Sequence, residues 1–398
     1  MKMRKLLAVF AVLVLAMGFA QTARAEDPDK EVLLKELEEG VKQQITQLDL
    51  SGLQEMLDSL PQEVKKLTGL NVGETITALI DGTAVLDANN FFQVILQIFL
   101  GEIKNNAFFF LQIALLVILG GMLKNMLPDV GSESVSEIAQ FACYALIAAL
   151  IASNLAALII SSREAVANMG ALLQAAFPML LTLLTALGGI YSAGIFQPVV
   201  PLITAISGFF MRDVMLPMVP VYGVLTMVSN ISERVQIKKL AVLSGTVCKW
   251  LIGIVFTVFL GVMTIQGISA GSFDGITIRT AKFAIDKFVP VVGRMFSDTV
   301  DTMLGCSLLV KNALGTVTLL MLSAVALFPL IQLISSIFMF KASAALLEPV
   351  GDARIVQCLN DMAGVVTVLF IIVLSLGAMM FIAVSLLIGA GNASMMMR

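Results

Sequence analysis

The sequence predicts an all-α, polytopic membrane protein with about seven or eight transmembrane helices and a small helical extracytoplasmic region at its N-terminus. Of the 398 residues, 58% are hydrophobic and only 13% are charged, and the mean hydropathy is +0.96. A soluble domain is about one quarter charged, so this chain has too few polar side chains to cover its surface in water. Backbone groups in lipid must bond within their own segment, which favours helices over strands.

Residues 1–25 have the pattern of a cleavable signal peptide. Basic residues within 2–5 precede an apolar stretch at 6–20, which is short for a transmembrane helix. Ala23 and Ala25 form a small-residue cleavage site, and acidic residues follow it directly. We expect cleavage after Ala25, which places the mature N-terminus outside the cytoplasm. An uncleaved N-terminal anchor is the alternative.

Residues 26–90 form an acidic region that differs in composition from the rest of the chain. The region holds 14 acidic and 5 basic residues, and so half of the 28 acidic residues of the protein. Five apolar residues recur at spacings of three and four, as on one face of a helix: Leu34, Leu37, Val41, Ile45 and Leu48. The pattern predicts either a solvated helical hairpin or a docking element whose narrow apolar stripe packs on another surface.

The rest of the chain consists of a first membrane half at residues 91–271 and a second at 313–398. Eight apolar runs in these halves are candidate spans: 107–127, 138–160, 171–191, 198–211, 214–231, 250–271, 313–340 and 362–388. Their number depends on one charged pair in the first half.

Arg212 and Asp213 interrupt an apolar run of about thirty residues. If the pair lies in a surface turn, the run forms two short spans, and if the pair is buried, the run forms one kinked span. A basic cluster follows at residues 234–249, and such clusters are typically cytoplasmic. With the N-terminus outside, only the two-span interpretation brings this cluster to the cytoplasm. We therefore favour eight spans.

Three prolines are candidate helix kinks: Pro178, Pro290 and Pro329. Two of them belong to a candidate internal repeat, in which Phe177-Pro178 corresponds to Phe328-Pro329 and Gln197-Pro198-Val199 corresponds to Glu348-Pro349-Val350. With eight spans both copies would cross the membrane in the same direction, unlike the inverted repeats of many secondary transporters.

Residues 272–312 separate the membrane halves and carry closely spaced opposite charges. Asp286 lies four residues after Lys282, and this spacing stacks the two charges on one helix face. The candidates for a transport pathway or for structural ion pairs are Arg212, Asp213, Arg279, Lys282, Asp286, Arg294, Asp298 and Asp301. The segment predicts either an amphipathic helix on the membrane surface or a re-entrant hairpin whose charges face water.

No sequence motif points to catalysis or to a cofactor. The chain has no histidine, which is the usual general base and the commonest metal ligand, and its four cysteines are far apart. It has no phosphate-binding loop, dinucleotide fingerprint, zinc motif or nucleophile elbow. We therefore expect no enzyme activity, cofactor, metal site or nucleic-acid partner, and we expect the cysteines to be small buried apolar residues.

Several long motifs carry a resemblance to a known family. They are DGITIRTAKF, FVPVVGRMFSDTVDT and SLLVKN in the charged segment, and AGNASMMMR at the C-terminus. Together they resemble the stage III sporulation protein AE family of endospore-forming Firmicutes. The likeness covers the whole chain and is weakest in the acidic region.

The resemblance implies a role that composition does not. It implies a non-enzymatic subunit of the stage III sporulation A complex, a channel or secretion-like apparatus in the mother-cell membrane around the forespore. Its partners would be the other membrane proteins of that complex and, indirectly, a forespore membrane protein, with residues 26–90 in the intermembrane space. A stand-alone secondary transporter or permease is the alternative, and homo-oligomerisation is left open.

Overall fold

The computed structural model describes residues 48–59, 71–80, 88–130, 133–231, 237–288 and 293–396, together with Val41, Gln44 and Ile45. Within these ranges, side chains are not described at residues 59, 88–92, 123–130, 133–137, 139, 231, 268–288, 293–302 and 391–396. The predicted signal peptide with Ala23 and Ala25 lies outside the described residues, as do Leu34, Leu37 and Pro290.

All regular structure in the described ranges is helical, which confirms the all-α class. Two short helices come first, α1 (Ser51–Ser59) and α2 (Val72–Ile80). The long helices that follow are α3 (Ala88–Val130), α4 (Glu133–Ala186), α5 (Ile190–Phe209), α6 (Leu216–Ile231), α7 (Lys238–Phe288), α8 (Gly293–Leu347) and α9 (Ala353–Met396). A π-helical segment, Phe210–Met215, joins α5 directly to α6.

Six helical units among the described residues are long and apolar enough to cross a membrane. They are Gln93–Met122, Gln140–Ala186, Ile190–Asn230, Lys238–Gly267, Met303–Leu347 and Ala353–Ala390. The polytopic class is therefore confirmed, but the count is six where we favoured eight. Two pairs of predicted spans are each one continuous helix, because α4 contains the second and third, and the α5–α6 unit contains the fourth and fifth.

The surface turn expected at Arg212-Asp213 is a π-helical segment instead. The backbone N–H of Leu216 bonds to the carbonyl of Met211, five residues earlier. The next residue, Pro217, has no N–H, so an α-helix would lose one backbone hydrogen bond there. The π-helical segment, with its five-residue hydrogen bonds, ends directly before this position. The charged side chains project from the helix and do not interrupt it.

The second fusion, in α4, has a simpler cause. Residues 161–170 carry polar side chains but contain no proline and only one glycine, so the backbone bonding continues through them. The chain turns only at 187–189, where Gly188 has a φ of 81°. That left-handed conformation favours glycine, which has no Cβ.

The joining of these two pairs of predicted spans does not change the side of the membrane on which the basic cluster at residues 234–249 is predicted to lie. Five crossings were expected between the start of the membrane region and residues 234–249, and the structure has three. Both numbers are odd, so the cluster lies at the end of the bundle opposite to the start of α3. We call this end the basic end.

Helices α8 and α9 form the centre of the bundle. In their most apolar stretches 72% and 67% of the residues are buried, against 22–33% in the other four spans. The surrounding helices expose large apolar side chains, such as Leu111 of α3 and Trp250 of α7, which are 63% and 73% exposed. An outer surface of this kind suits contact with lipid tails.

Helices α4 and α8 run in opposite directions. The Tyr144 hydroxyl of α4 lies near Cys358 of α9, and further along both helices Met169 packs beside Gly377, so α4 and α9 are parallel. A short turn at 348–352 joins α8 to α9, which are therefore antiparallel. The markers Phe177-Pro178 and Phe328-Pro329 of the predicted repeat lie on α4 and α8, so the expectation that they run in the same direction is wrong. It failed because the fourth and fifth predicted spans form one unit, which removes one crossing between the markers. The second markers do not match in structure either, since Pro198 lies inside α5 and Pro349 lies in the turn after α8.

The described part of the acidic region packs against the long helices. Leu53 and Leu57 of α1 and Val72 and Ile76 of α2 are buried in the same apolar core as the membrane spans. Helix α1 contacts α4, and α2 contacts α8. The described apolar residues of α1 and α2 are thus covered by the chain's own long helices.

Side-chain hydrogen bonds fix the same region. The Gln44 amide donates to the Ser307 hydroxyl of α8 at 2.9 Å, and the Gln54 side chain of α1 accepts from the backbone N–H of Val72 at 2.9 Å, which caps α2. Asp49 accepts from the backbone N–H and the hydroxyl of Ser51, and these bonds hold the pKa of Asp49 below its usual range. The charged form of Asp49 therefore supports the start of α1 at neutral pH, and this support is lost in acid.

Candidate functional site

A layer of charged side chains lies midway along two of the membrane spans. It consists of Arg163 and Glu164 on α4 and Arg212 and Asp213 on the π-helical segment, and we call it the charged layer. Arg212 Nε and Nη2 donate to Asp213 Oδ2 at 3.1 and 2.9 Å. Arg163 Nη2 lies 3.9 Å from Asp213 Oδ1. One aspartate therefore faces two arginines.

The charged layer lies on the outside of the bundle. The side chains of Arg163, Arg212 and Asp213 are 64%, 47% and 27% exposed, and Glu164 is exposed as well. Glu164 forms no ion pair with any residue that the structure describes. Ionisable groups within a membrane are costly unless they meet a partner or water.

A lateral cavity of about 590 Å³ opens between α4 and α5 beside this layer. Its lining is largely apolar, with Gln174 and Thr204 as polar members and Arg212 at the end next to the charged layer. Gly170 and Gly208 are in the wall, and a Cβ added at either would meet no atom within 4 Å. The described side chains of this chain therefore leave the space free.

A second polar group of residues joins three helices at the basic end. The Tyr144 hydroxyl of α4 donates to the backbone carbonyl of Met227 in α6 at 2.7 Å. Asp361 of α9 accepts from the side-chain amides of Asn230 at 3.3 Å and Gln357 at 2.8 Å. These bonds tie α4, α6 and α9 together.

Lys311 of α8 is fully buried, although it is a lysine. Its Nζ donates to the backbone carbonyl of Ile388 in α9 at 2.8 Å, which links the two central helices. The neighbouring Asn312 has a buried side-chain oxygen with no hydrogen-bond partner among the described protein atoms. The residue pair makes this part of the α8–α9 contact polar.

The charged segment 272–312 forms the ends of two long helices. Helix α7 continues to Phe288 and α8 begins at Gly293, so the segment consists of the last part of α7 and the first part of α8. The choice between a surface helix and a re-entrant hairpin stays a prediction. The side chains of six predicted site residues lie outside the described set: Arg279, Lys282, Asp286, Arg294, Asp298 and Asp301. The helices continue across Pro178 and Pro329, so neither proline breaks its helix.

Two residues at these sites were missed by the sequence analysis. Arg163 interrupts the apolar stretch of α4 as Arg212 interrupts the α5–α6 unit, so the matching interruption was a usable signal. Lys311 follows an apolar run and precedes another, but its burial depends on packing that no local pattern contains.

The polar side chains described at these sites form ion pairs and hydrogen bonds to amides and carbonyls. Among the described residues, no three side chains of the histidine, cysteine, aspartate or glutamate type are grouped to hold a metal ion. All four cysteines are free thiols, and three of them are buried. The charged layer and the cavity can bind and orient a partner group.

Six long apolar helices among the described residues, two of them buried at the centre of the bundle, define a polytopic, α-helical membrane protein. A family model described as stage III sporulation protein AE matches residues 70–391, so the chain belongs to this family. The chain is also 34% identical over 265 residues to the stage III sporulation protein AE of Bacillus subtilis (strain 168). That match covers 67% of this chain and 66% of the relative, slightly less than two thirds of its length. No solved structure matches the chain.

Proposed function

We propose that this protein is a non-enzymatic membrane subunit of the channel or secretion-like complex that connects the mother cell with the forespore. Membership of the stage III sporulation protein AE family is the observation that carries the proposal. The six apolar helices support an integral membrane location, which we assign to the mother-cell membrane around the forespore. The complex would be required for late forespore development.

The proposed partners are the other membrane proteins of the stage III sporulation A complex and, through them, a forespore membrane protein. The proposed orientation places the acidic N-terminal region in the intermembrane space. Its helices α1 and α2 pack at the end of the bundle where α8 begins, away from the basic end. The basic cluster at residues 234–249 lies at the opposite end of the bundle, where the positive-inside rule favours the cytoplasm.

A non-enzymatic role agrees with the chemistry of the polar groups. The Asp361 carboxylate is held by two amides, the Lys311 amino group by a backbone carbonyl, and the Asp213 carboxylate by Arg212. Each of these arrangements joins helices or stabilises one locally. Catalysis would need a positioned acid, base or nucleophile facing a substrate.

A gene deletion in the sporulating host tests the proposal. Sporulation should stop after engulfment, and a reporter of late forespore transcription should stay silent, because the proposed complex would be incomplete. Re-expression of the intact gene in the mother cell should restore the reporter, whereas expression confined to the forespore should not. Normal spores from the deletion strain would refute the proposed role.

One observation keeps a stand-alone transporter as a second candidate. The Phe-Pro markers of the candidate repeat lie on α4 and α8, which run in opposite directions, as corresponding helices do in the inverted repeats of many transporters. This candidate predicts that liposomes containing only this protein show solute or ion flux above that of empty liposomes. Flux that needs no other subunit would favour the transporter over the complex.

A further inference from the structure

We propose that two copies of this chain associate in the membrane through the face formed by α4 and α5, which carries the charged layer and the lateral cavity. We call this surface the α4–α5 face. The inference concerns only self-association, and it stands or falls separately from the proposed role in sporulation.

The charges on the α4–α5 face are incompletely paired. Glu164 is exposed and forms no ion pair among the described residues, while Arg163 is 64% exposed and reaches Asp213 only at 3.9 Å. These residues lie midway along the apolar helix Gln140–Ala186, and an ionisable group that contacts lipid is costly unless it meets a partner. A carboxylate and a guanidinium at one level of this face can pair with the same two groups of a second copy of the chain.

Symmetry supplies that molecule. Most homo-oligomers have a closed rotation axis, and a two-fold axis makes the same patch face itself. In a membrane this axis is parallel to the membrane normal, so each residue meets residues of the second copy at its own depth. Glu164 of each copy then faces Arg163 of the other copy.

The cavity beside the charged layer is not filled by any described side chain of the chain. Gly170 and Gly208 border the cavity, and nothing described in the chain lies within 4 Å of a Cβ placed on either. A glycine inside a helix costs about 1 kcal/mol relative to alanine, so the internal packing gives no reason for it here. Small residues do allow two membrane helices to approach closely.

Exposed apolar side chains also project from α5 next to the cavity. Leu202 and Ile206 are 61% and 52% exposed, and Phe209, which is in the cavity wall, is 58% exposed. Their spacing of four and three residues forms one ridge along the helix. Because the ridge and the cavity adjoin on one helix, a two-fold axis lets the ridge of each copy approach the cavity of the other.

Both charge signs in the layer favour a second copy over an anionic lipid. A phosphate group would pair with the arginines but would repel Glu164. A second copy brings both required charges to the same level of the helices.

Glycine substitutions test the packing. The protein is expressed with two different tags, and co-purification is measured in mild detergent together with the molecular mass in lipid nanodiscs. Gly208→Leu should reduce co-purification about tenfold or more, a loss equivalent to about 1.4 kcal/mol, because it fills the cavity. Gly253→Leu is the matched control, since Gly253 lies on the exposed surface of α7 and also has nothing within 4 Å.

Three observations in the glycine experiment would contradict self-association through the α4–α5 face. The proposal is overturned if the wild-type protein is a monomer in nanodiscs at all concentrations. It is also overturned if Gly208→Leu and Gly253→Leu co-purify equally well, or if the α4–α5 face captures a different protein and no second copy. Monodisperse elution of both variants confirms that each is folded.

A charge exchange between two copies tests the symmetry. Glu164→Lys alone and Arg163→Glu alone should each lose self-association, since like charges would face each other. When the two variants are expressed together, both contacts become opposite pairs, and co-purification of one with the other should return to at least half of the wild-type level. Failure of the mixed pair to associate would overturn the proposed two-fold contact.

Discussion

At the scale of single residues, two buried polar side chains in the interior of the bundle are satisfied by backbone carbonyls. Tyr144 donates to the Met227 carbonyl and Lys311 to the Ile388 carbonyl, and both side chains are buried. An unpaired polar group in an apolar interior costs several kcal/mol, so these bonds remove a penalty more than they add attraction. They also fix which turns of neighbouring helices face each other.

Two substitutions of Lys311 separate what its volume and its amino group each contribute to the stability of the protein. Lys311→Ala should lower the stability by about 2–4 kcal/mol, because it leaves a cavity between α8 and α9. Lys311→Met keeps most of the volume and also removes a buried amino group, so its cost should stay below about 1.5 kcal/mol. Thermal unfolding in detergent measures both changes. Equal losses for the two variants would mean that the hydrogen bond to Ile388, and not the packing, carries the contribution.

At the scale of the helices, glycines set how closely the elements approach. A Cβ on Gly121 of α3 would lie 2.5 Å from the backbone oxygen of Val350, in the turn between α8 and α9. A Cβ on Gly315 of α8 would lie 2.4 Å from the Ile388 side chain of α9. Both distances are too short for atoms in van der Waals contact, so only glycine fits without a shift.

Helix α3 offers a matched pair of glycines for a test of this packing. Gly121→Ala should destabilise the protein by about 1–3 kcal/mol, since a backbone atom cannot move away as a side chain can. Gly101→Ala, in the same helix, meets no atom within 4 Å and should be neutral or stabilise by up to about 1 kcal/mol. The midpoints of thermal unfolding of the two variants give the comparison. Equal effects would show that the α3 contact with the turn is not close in solution.

At the scale of the whole molecule, two central helices are surrounded by four others. The charged segment 272–312 consists of the end of α7 and the start of α8. Helix α8 continues from it into the centre of the bundle, where it packs against α9. The charged layer, in contrast, is on the outer α4–α5 face. The molecule therefore places its central apolar contacts and its exposed mid-span charges on different surfaces.

The helix count can be tested by the side from which substituted cysteines react. With six crossings, Ile190→Cys and Ile237→Cys should react with an impermeant thiol reagent from opposite sides of the membrane. With eight crossings the two positions lie on the same side. Glu348→Cys is the control, because it should react from the same side as Ile237→Cys under either count. The background carries Cys143→Ser, since the other three native thiols are buried.

Much of the fold follows from patterns along the chain. Long apolar runs with few charges require helices in lipid, so the class, the membrane location and the approximate limits of the spans follow from solvation alone. The stripe that includes Val41 correctly indicated a surface in need of cover. The matching interruptions at Arg163 and Arg212 were visible as well, although their meeting was not.

The sequence by itself determined that most of this protein lies in lipid and that its backbone is helical, because both properties depend on local composition. Tertiary structure decided that Arg212 and Asp213 sit in a continuous helix, that Lys311 is buried against Ile388, and that α4 and α8 run in opposite directions. Each of these depends on which helices pack together and on how many times the chain crosses. A charged pair in an apolar run is compatible with a turn or with a helix, and only the surrounding packing selects one.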